Sequence, residues 1–328
     1  MNKQRQFVEQ CKERKKTKNF AQELSQLLGV NVDAAYRRLR GVTQLTFDEI
    51  NKMCKHYSVS FDSIINYEGR TVPFQYNPMF NEDFSMRQYL TDIRNQMEQL
   101  TMAKDSKITI TATDIPYFRL FGFPSLRRFK LFFWQRSVLN LEEFQPQKFD
   151  IEKEEPEIDT ISEDIFKFYH GIESTEIWAP ETLDSTFKQI EYYIESGLFK
   201  DANTVISILD DLVLFLNQLE AEAMLAKKTY HRNAEHFTSN FSMYQSDIFM
   251  SNNSILASVG GSVYSYVSFN SFNSLMSFSP SFSEECQRWV EQIRVKSILL
   301  SDVSERLRYQ FFQGLRNKIK TLKADFIK

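Results

Sequence analysis

The chain has 328 residues, enough for about two domains, and its 42% apolar and 25% charged residues are those of an ordinary folded protein. It contains only nine glycines and neither a P-loop nor a G-x-G-x-x-G motif, which argues against most nucleotide-dependent enzymes. The formal net charge of −3 argues against polyanion binding by the molecule as a whole, so such binding requires a local basic patch.

Charge is distributed unevenly along the chain. Residues 1–45 carry ten Lys/Arg against four Asp/Glu, a net +6, whereas residues 142–164 carry two Lys against ten Asp/Glu, a net −8. Within this acidic segment, residues 152–157 contain Pro156 and little to bury, which is typical of a solvated loop; a DNA-mimicking role is the alternative. The basic patch that a polyanion requires is therefore expected at the N-terminal end.

Cysteine usage and the N-terminus indicate a cytoplasmic protein. Cys11, Cys54 and Cys286 are widely spaced and odd in number, as expected of reduced thiols rather than of a disulfide framework. The first residues lack the apolar core of a signal peptide, and no run of 18 apolar residues is present. We therefore expect no membrane partner.

Short helices are predicted before residue 65. A basic first helix contains Cys11. Asn19 precedes an apolar stripe of helical spacing that ends at Gly29, and Asn31 is placed to cap a second helix that Gly41 closes. Two later capping signals each predict a further helix: the capping box of Thr46 and Glu49 predicts one, and Ser60 predicts another.

The second and third of these helices form a predicted helix-turn-helix. An α-helix fits the major groove of DNA, and the first residues of the second helix of the motif point at the base edges while later arginines reach bases or phosphates. Nine residues are therefore expected to contact DNA: Lys18, Asn31, Val32, Asp33, Tyr36, Arg37, Arg38, Arg40 and Thr43. A basic helical bundle that docks an acidic protein is the alternative explanation of the same pattern.

The segments Leu24–Val30, Asn31–Gly41, Leu45–Ile50 and Ser58–Ile65 resemble the lambda-repressor/Cro-like (XRE) helix-turn-helix family, including its BetR-type relatives. The resemblance covers at most a fifth of the chain. It implies a compact DNA-binding bundle and a transcriptional regulator. The sequence departs from the family at Ala21, Ser25 and Arg38, where the family usually has Gln, Ala and an aliphatic residue.

A heptad pattern follows a turn-rich connector, between residues 82 and 104. Its apolar positions are Met86, Leu90, Ile93, Met97 and Leu100. The pattern lasts about two heptads, which is shorter than a reliable coiled coil. It predicts either a contact between the two subunits of a homodimer or a single amphipathic helix packed on its own domain.

A second domain of mixed helices and antiparallel strands is predicted from residue 106. Residues 107–113 alternate as a strand does, Gly260 and Gly261 mark a tight hairpin, and Asp247–Met250 forms a further short strand. Phe129–Trp134 is compatible with a strand or a buried helix. Long helices are expected over three segments: 187–194, 205–219 and 307–322.

The fold class is therefore α+β: an all-α helix-turn-helix bundle followed by a larger domain of helices and antiparallel strands. Residues 1–70 form the predicted DNA-binding domain, and residues 71–105 form a connector with an amphipathic helix. Residues 106–328 form the predicted effector or interaction domain. No repeat of fixed period is visible.

Nothing in the sequence predicts catalysis. The four histidines, His56, His170, His231 and His236, form no H-E-x-x-H motif, and the last two are five residues apart and so do not share a helix face. No G-x-S-x-G elbow is present. The neighbours Asp210 and Asp211 are expected at a solvated helix edge. We therefore expect no catalytic residue, no metal and no cofactor.

The sequence favours a DNA-binding transcriptional regulator whose C-terminal domain senses a small-molecule or protein effector or mediates assembly. Double-stranded DNA is the expected partner, and a homodimer is expected because one short helix reads few base pairs. The alternative is a protein-interaction adaptor. A third possibility, an enzyme with a DNA-binding appendage, has no supporting motif.

Overall fold

The structure, a computed structural model, describes residues 3–15, 19–61, 71–81, 84–153, 155–232, 235–248, 250, 253–270 and 272–327. The chain divides into two compact units, residues 1–73 and 74–328. The α+β class is confirmed, because N-terminal helices precede a unit built from helices and an eight-stranded mixed sheet, with 56% of the described residues helical.

The first unit contains four described helices around a small core. They are α1 (Lys3–Arg14), α2 (Phe20–Leu28), α3 (Val32–Leu39) and α4 (Phe47–Tyr57). Phe7 and Cys11 of α1 are completely buried with Leu24 of α2, Ala35 of α3 and Met53 of α4. Each helix therefore contributes its apolar face to one shared cluster. The turn predicted after Ser60 lies beyond residue 61, outside the described residues.

The predicted helix boundaries of the first unit are confirmed at their caps. The Asn31 side chain accepts a 2.8 Å hydrogen bond from the backbone N–H of Ala34, which starts α3. Thr46 and Glu49 form the reciprocal capping box of α4. Gly29 ends α2 at a φ of +69°, a left-handed conformation that favours glycine.

The second unit alternates helices and strands. Its elements in chain order are α5 (Met86–Met102), β1 (Lys107–Ala112), α6 (Tyr117–Leu120), α7 (Pro124–Phe133), α8 (Pro156–His170), β2 (Glu173–Trp178), α9 (Asp184–Glu195), α10 (Ala202–Leu225), β3 (Lys227–Arg232), β4 (Glu235–Gln245), β5 (Ser254–Val259), β6 (Ser262–Asn270), β7 (Asn273–Ser277), α11 (Pro280–Lys296), β8 (Ile298–Leu299) and α12 (Glu305–Ile327). A π-helical turn, Trp134–Val138, extends α7. The ambiguous segment at 129–134 is thus helical.

The sheet has the order β3-β4-β2-β1-β5-β6-β7, and β8 pairs with β4. β1 with β2 and β2 with β4 are parallel, whereas the remaining pairs are antiparallel. The expectation of antiparallel strands alone was therefore wrong at the centre of the sheet, where α8 lies in the crossover from β1 to β2 and makes parallel pairing feasible. Gly260 and Gly261 form the predicted hairpin turn between β5 and β6.

The strand predicted at Asp247–Met250 is wrong at its described positions. The strand in this region, β4, ends at Gln245, and Asp247, Ile248 and Met250 lie in irregular backbone after it. Met250 is nevertheless buried, in a small cluster with Leu256 and Ile293. Its apolar character therefore reflects packing of a loop rather than a position in the sheet.

The heptad positions of α5 do not form a contact with a second subunit, which corrects that prediction. Met86, Leu90, Ile93 and Met97 are buried in the large core of the second unit, and Leu100 packs against the same core. α5 contacts α8 of its own unit. The stripe is therefore the inward face of an amphipathic helix, the other explanation open from the sequence.

The helix α10 is long and apolar enough to cross a membrane by length and composition alone. In this structure it lies against α7 and α12, and its buried side chains, including Leu212 and Leu216, belong to the large core. Asp211 of this helix accepts hydrogen bonds from the backbone N–H groups of Ser125 and Leu126 at the start of α7. Asp211 therefore caps the start of α7 instead of lying at the solvated helix edge that the sequence predicts.

Candidate DNA-binding surface

The exposed side of α3 carries most of the residues predicted to contact DNA. Asn31, Asp33 and Arg37 are exposed, as are Val32, Tyr36 and Arg40, whereas Ala35 points into the core. The short turn at Gly29 and Val30 separates α2 from α3. Capping by Asn31 fixes where α3 begins, so its first turn lies at the surface with a defined orientation.

The segment after α3 is held by a residue of α1. The amide nitrogen of Gln4 donates to the carbonyl oxygens of Arg38 and Thr43, both at 2.8 Å, and its amide oxygen accepts from the N–H of Leu45 at 3.0 Å. The neighbouring Arg5 donates to the carbonyl oxygen of Arg40 at 2.8 Å. These bonds fix the loop that links α3 to α4 and bring an additional guanidinium to the end of α3.

Arg38 is not available to DNA in this structure, which corrects its prediction. Its guanidinium pairs with the Glu49 carboxylate, with nitrogen to oxygen distances of 2.8 to 3.1 Å, and the two side chains are only 15% and 13% exposed. Burial acts to raise the pKa of Glu49, but hydrogen bonds from Arg38 and Thr46 outweigh it and lower that pKa. The departure from the aliphatic residue usual in the resembled family therefore creates a link between α3 and α4.

The other predicted residues differ in their availability. Arg40 lies over the ring of Tyr36, with its guanidinium carbon 5.8 Å from the ring centroid, so the two form one exposed unit. Thr43 is half-buried, and its backbone N–H donates to the carbonyl oxygen of Arg37. Lys18 lies outside the described residues.

Two residues of this surface were missed by the sequence reasoning. Val42 is 69% and Phe47 is 81% exposed, and together with Val32 and Tyr36 they are the exposed large apolar side chains among the described residues of the first unit. All four belong to α3, the loop after it or the first position of α4. Phe47 follows directly on the capping residue Thr46, and the capping signal alone could have placed it in the exposed first turn of α4.

The second unit contains a buried cluster of ionic side chains that the sequence did not indicate. Arg119 contacts Glu176 and Glu222, and all three side chains are at most 6% exposed. Tyr169 and Trp178 donate further hydrogen bonds to Glu176. The carboxylates are thus paired or hydrogen-bonded, as buried charges must be.

Two further basic residues border this cluster. His170 places one ring nitrogen 3.1 Å from Glu222 and the other 2.7 Å from the carbonyl oxygen of Phe166. Lys228 donates to the carbonyl oxygen of Tyr169 at 2.6 Å, and burial lowers the pKa of Lys228 well below its ordinary value. Burial also acts to raise the pKa of Glu222, but Arg119 and His170 outweigh it and lower that pKa to about 2. Arg119 and Glu176 are enclosed, whereas Glu222 also lines an open depression of about 320 Å³.

Metal ligation has little support in the part of the chain that the structure describes, since no group of three or more His, Cys, Asp or Glu side chains is placed to hold an ion there. The structure does bring His231 and His236 opposite one another on β3 and β4, with ring centroids 5.7 Å apart. Their spacing keeps them off a shared helix face, but the pairing of the two strands makes them neighbours.

A narrow cleft lies beyond the end of β1. Its polar lining includes Asp114 and Lys130, which are 3.2 Å apart, and its apolar lining includes Tyr117 and Trp134. The cavity measures about 30 Å³, which is room for a water molecule rather than for an organic effector. Two wider and more open depressions, of about 320 Å³ beside Glu222 and about 410 Å³ beside Glu173, also lie on the second unit. The surface of α3 and the following loop is preferred as the candidate site because of its exposed arginines.

Comparison with protein-family models, with curated proteins and with solved structures found no match to this chain.

Proposed function

We propose that this protein is a sequence-specific DNA-binding transcriptional regulator in which the first unit binds duplex DNA through α3. The observation that carries the proposal is the exposed face of α3, where two arginines and the apolar Val32 and Tyr36 follow a short turn after α2. A helix presented in this way fits the major groove, and its first residues reach base edges.

Electrostatics supports this assignment. Residues 1–73 carry thirteen Lys/Arg and eight Asp/Glu, a formal net charge of +5, which leaves −8 for residues 74–328. Within the described parts of the chain, the side chain of Arg37 forms no hydrogen bond or ion pair, and the side chain of Arg40 contacts only the ring of Tyr36. Both cations are therefore available for phosphate or guanine contacts.

A homodimer is part of this proposal. One eight-residue helix contacts few base pairs, and paired readers must lie about 34–36 Å apart along DNA. The apolar face of α5 is used inside its own unit, so we assign the contact between subunits to other surfaces of the second unit. This unit is also where an effector, if one acts on the regulator, is expected to bind.

The exposed Val42 and Phe47 favour a second candidate function, docking of an acidic protein with apolar anchor residues. Large apolar side chains at the surface are typical of protein interfaces when they are contiguous. In that case the arginines of α3 would contact carboxylates instead of phosphates. The first function requires duplex DNA as the binding partner and the second requires an acidic protein, so one experiment separates them.

The experiment begins with selection of duplexes from a random library by the full-length protein, followed by fluorescence anisotropy with an enriched duplex. Arg37→Ala and Arg40→Ala should each weaken binding and reduce the dependence of binding on salt, by about 0.9 in the log–log slope for each phosphate that is no longer neutralised. Arg288→Ala is the matched control, since it removes an exposed arginine from α11 of the second unit.

The outcomes are distinct. Enrichment of a common sequence, loss of affinity in the two α3 variants and normal affinity in the control support the proposal. Failure to enrich any duplex, or equal affinity for all four proteins, removes DNA as the ligand of α3 and favours the docking function.

A further inference from the structure

We propose that Asp33 is a specificity-determining residue that selects a cytosine in the DNA site, with Val32 contacting the methyl group of a thymine in the same half-site. This inference rests on the proposed function and names the bases that its surface reads. It starts from a feature that phosphate binding does not explain: an acidic side chain on the face of α3 that carries Arg37 and Arg40.

Asp33 lies in the first turn of α3, where a negative charge interacts favourably with the helix dipole, but no described residue binds its carboxylate. It is exposed and makes neither a side-chain hydrogen bond nor an ion pair with any described residue, whereas Glu49 of α4 is used in a capping box and in the pair with Arg38. The start of α3 is capped by Asn31 without help from Asp33. The carboxylate is therefore available to a ligand.

The chemistry of a carboxylate restricts what it can contact on duplex DNA. An ionised carboxylate only accepts hydrogen bonds, and phosphate oxygens repel it. In the major groove the exposed donors are the amino groups of cytosine and adenine, but adenine presents the acceptor N7 beside its amino group. Cytosine N4 is therefore the base group that fits Asp33.

The neighbouring Val32 adds a second preference. Its side chain is 42% exposed although it is apolar, and it precedes Asp33 in the first turn of α3. The apolar feature of the major groove is the C5 methyl group of thymine. The two residues together predict a half-site that contains both a thymine and a cytosine.

Repulsion between Asp33 and phosphate has a measurable consequence. A carboxylate on the binding face weakens the attraction of the protein to any duplex. At a site where cytosine donates a hydrogen bond to the carboxylate, that bond offsets the repulsion. Asp33→Asn removes the charge with little change in shape, and its amide both donates and accepts. We therefore expect Asp33→Asn to bind non-specific duplex more tightly while losing discrimination at one base pair.

The chain offers a close control at Asp48. Asn31, Val32 and Asp33 begin α3 as Thr46, Phe47 and Asp48 begin α4: a capping residue, an exposed apolar residue and an exposed aspartate. Asp48→Asn therefore makes the same change in charge at the same position of a helix in the same unit. A general effect of net charge or of the helix dipole would appear in both variants.

The test uses the full-length protein, the enriched duplex and a set of duplexes with each base pair substituted in turn. For the wild type we expect a preference for C·G of about 5- to 150-fold at one position, lost in Asp33→Asn and kept in Asp48→Asn. Replacing thymine by uracil, which removes only the methyl group, should weaken wild-type binding at one position and leave Val32→Ala unaffected there.

The failures of the two proposals are distinguishable. If no duplex is enriched, the proposed function itself is wrong. If a duplex is enriched and Asp33→Asn keeps the wild-type base preferences, or Asp48→Asn loses the same preference, DNA binding stands and the role of Asp33 is overturned. Insensitivity of the wild type to every uracil substitution overturns the role of Val32.

Discussion

Arginines of the two units provide contrasting examples of exposure and burial. In the first unit Arg37 and Arg40 are exposed on α3, whereas in the second unit Arg119 is buried between Glu176 and Glu222. Burial removes a charge from water, so it requires partners that satisfy it, and those partners are then no longer available for binding. Exposed arginines lack this constraint and can exchange water for phosphate.

Arg38 lies between these two extremes. It is next to Arg37 in the sequence, yet it packs against α4 and pairs with Glu49. The contrast shows that position on the helix, rather than residue type, separates an arginine that supports the fold from one that is free to bind. Four substitutions, in order of the effect that we expect, test which side chains support the fold.

The largest effect is expected from Arg119→Met, which leaves the carboxylates of Glu176 and Glu222 buried without their shared cation. Breaking a buried ion pair on one side typically lowers the free energy of unfolding by about 3–5 kcal/mol. Urea denaturation of the full chain measures this loss in the free energy of unfolding. Arg288→Met, which changes an exposed arginine, should stay within about 0.5 kcal/mol of the wild type. Equal stability of the two variants would show that the buried cluster does not support the fold.

A comparable loss is expected from Leu90→Ala in α5, about 2–5 kcal/mol, because Leu90 is completely buried in the core of its own unit. Met102→Ala, at the exposed end of the same helix, is the control. The loss for Leu90→Ala should not vary with protein concentration. A loss that grows on dilution would restore the contact between subunits that the heptad pattern first predicted.

A smaller effect is expected from Thr46→Ala, which removes the side-chain cap of α4 and should lower stability by about 0.5–2 kcal/mol. Thr46→Ser keeps a capping hydroxyl and should lose less. Thermal melting and DNA binding are measured on the same samples. Binding should follow the fraction of folded protein, so a large binding defect in a folded Thr46→Ala protein would place Thr46 at the DNA.

The smallest effect concerns the pH dependence of the Arg38–Glu49 pair. The pKa of Glu49 is lower in the folded protein than its ordinary value of 4.5, so the pair stabilises the first unit above that pH. This contribution is lost as the pH falls through the folded-state pKa. Both side chains remain partly accessible, at 15% and 13%, so water still screens the pair and we expect a contribution of about 1 kcal/mol.

Denaturation of the wild type and of Glu49→Gln between pH 7 and pH 3 measures this contribution. The difference in stability between the two proteins should shrink towards the acidic end. Since a carboxylate and an amide at this position can both accept the capping hydrogen bond, a difference that is independent of pH would assign the effect of the substitution to packing.

Much of the first unit could be predicted from the sequence because its signals are local. The Asn31 cap and the Thr46–Glu49 capping box join residues three apart, and Gly29 marks the end of α2. Such patterns depend on bonds within one helical turn, so they can be recognised without knowing the fold. The exposed face of α3 follows from the same periodicity once the buried position of Ala35 is fixed.

The remaining features were decided by tertiary structure, since they join residues far apart in the chain. Gln4 bonds to positions 34 to 41 residues later, and Arg119 meets Glu176 and Glu222 at separations of 57 and 103 residues. The sequence therefore determined the α+β class, the short capped helices and the location of the basic surface. Long-range packing decided three features: which arginines stay exposed, the parallel pairing of the central strands and the inward orientation of α5. Each of these depends on contacts between residues that are far apart in the sequence, and such contacts form only when the whole chain is folded.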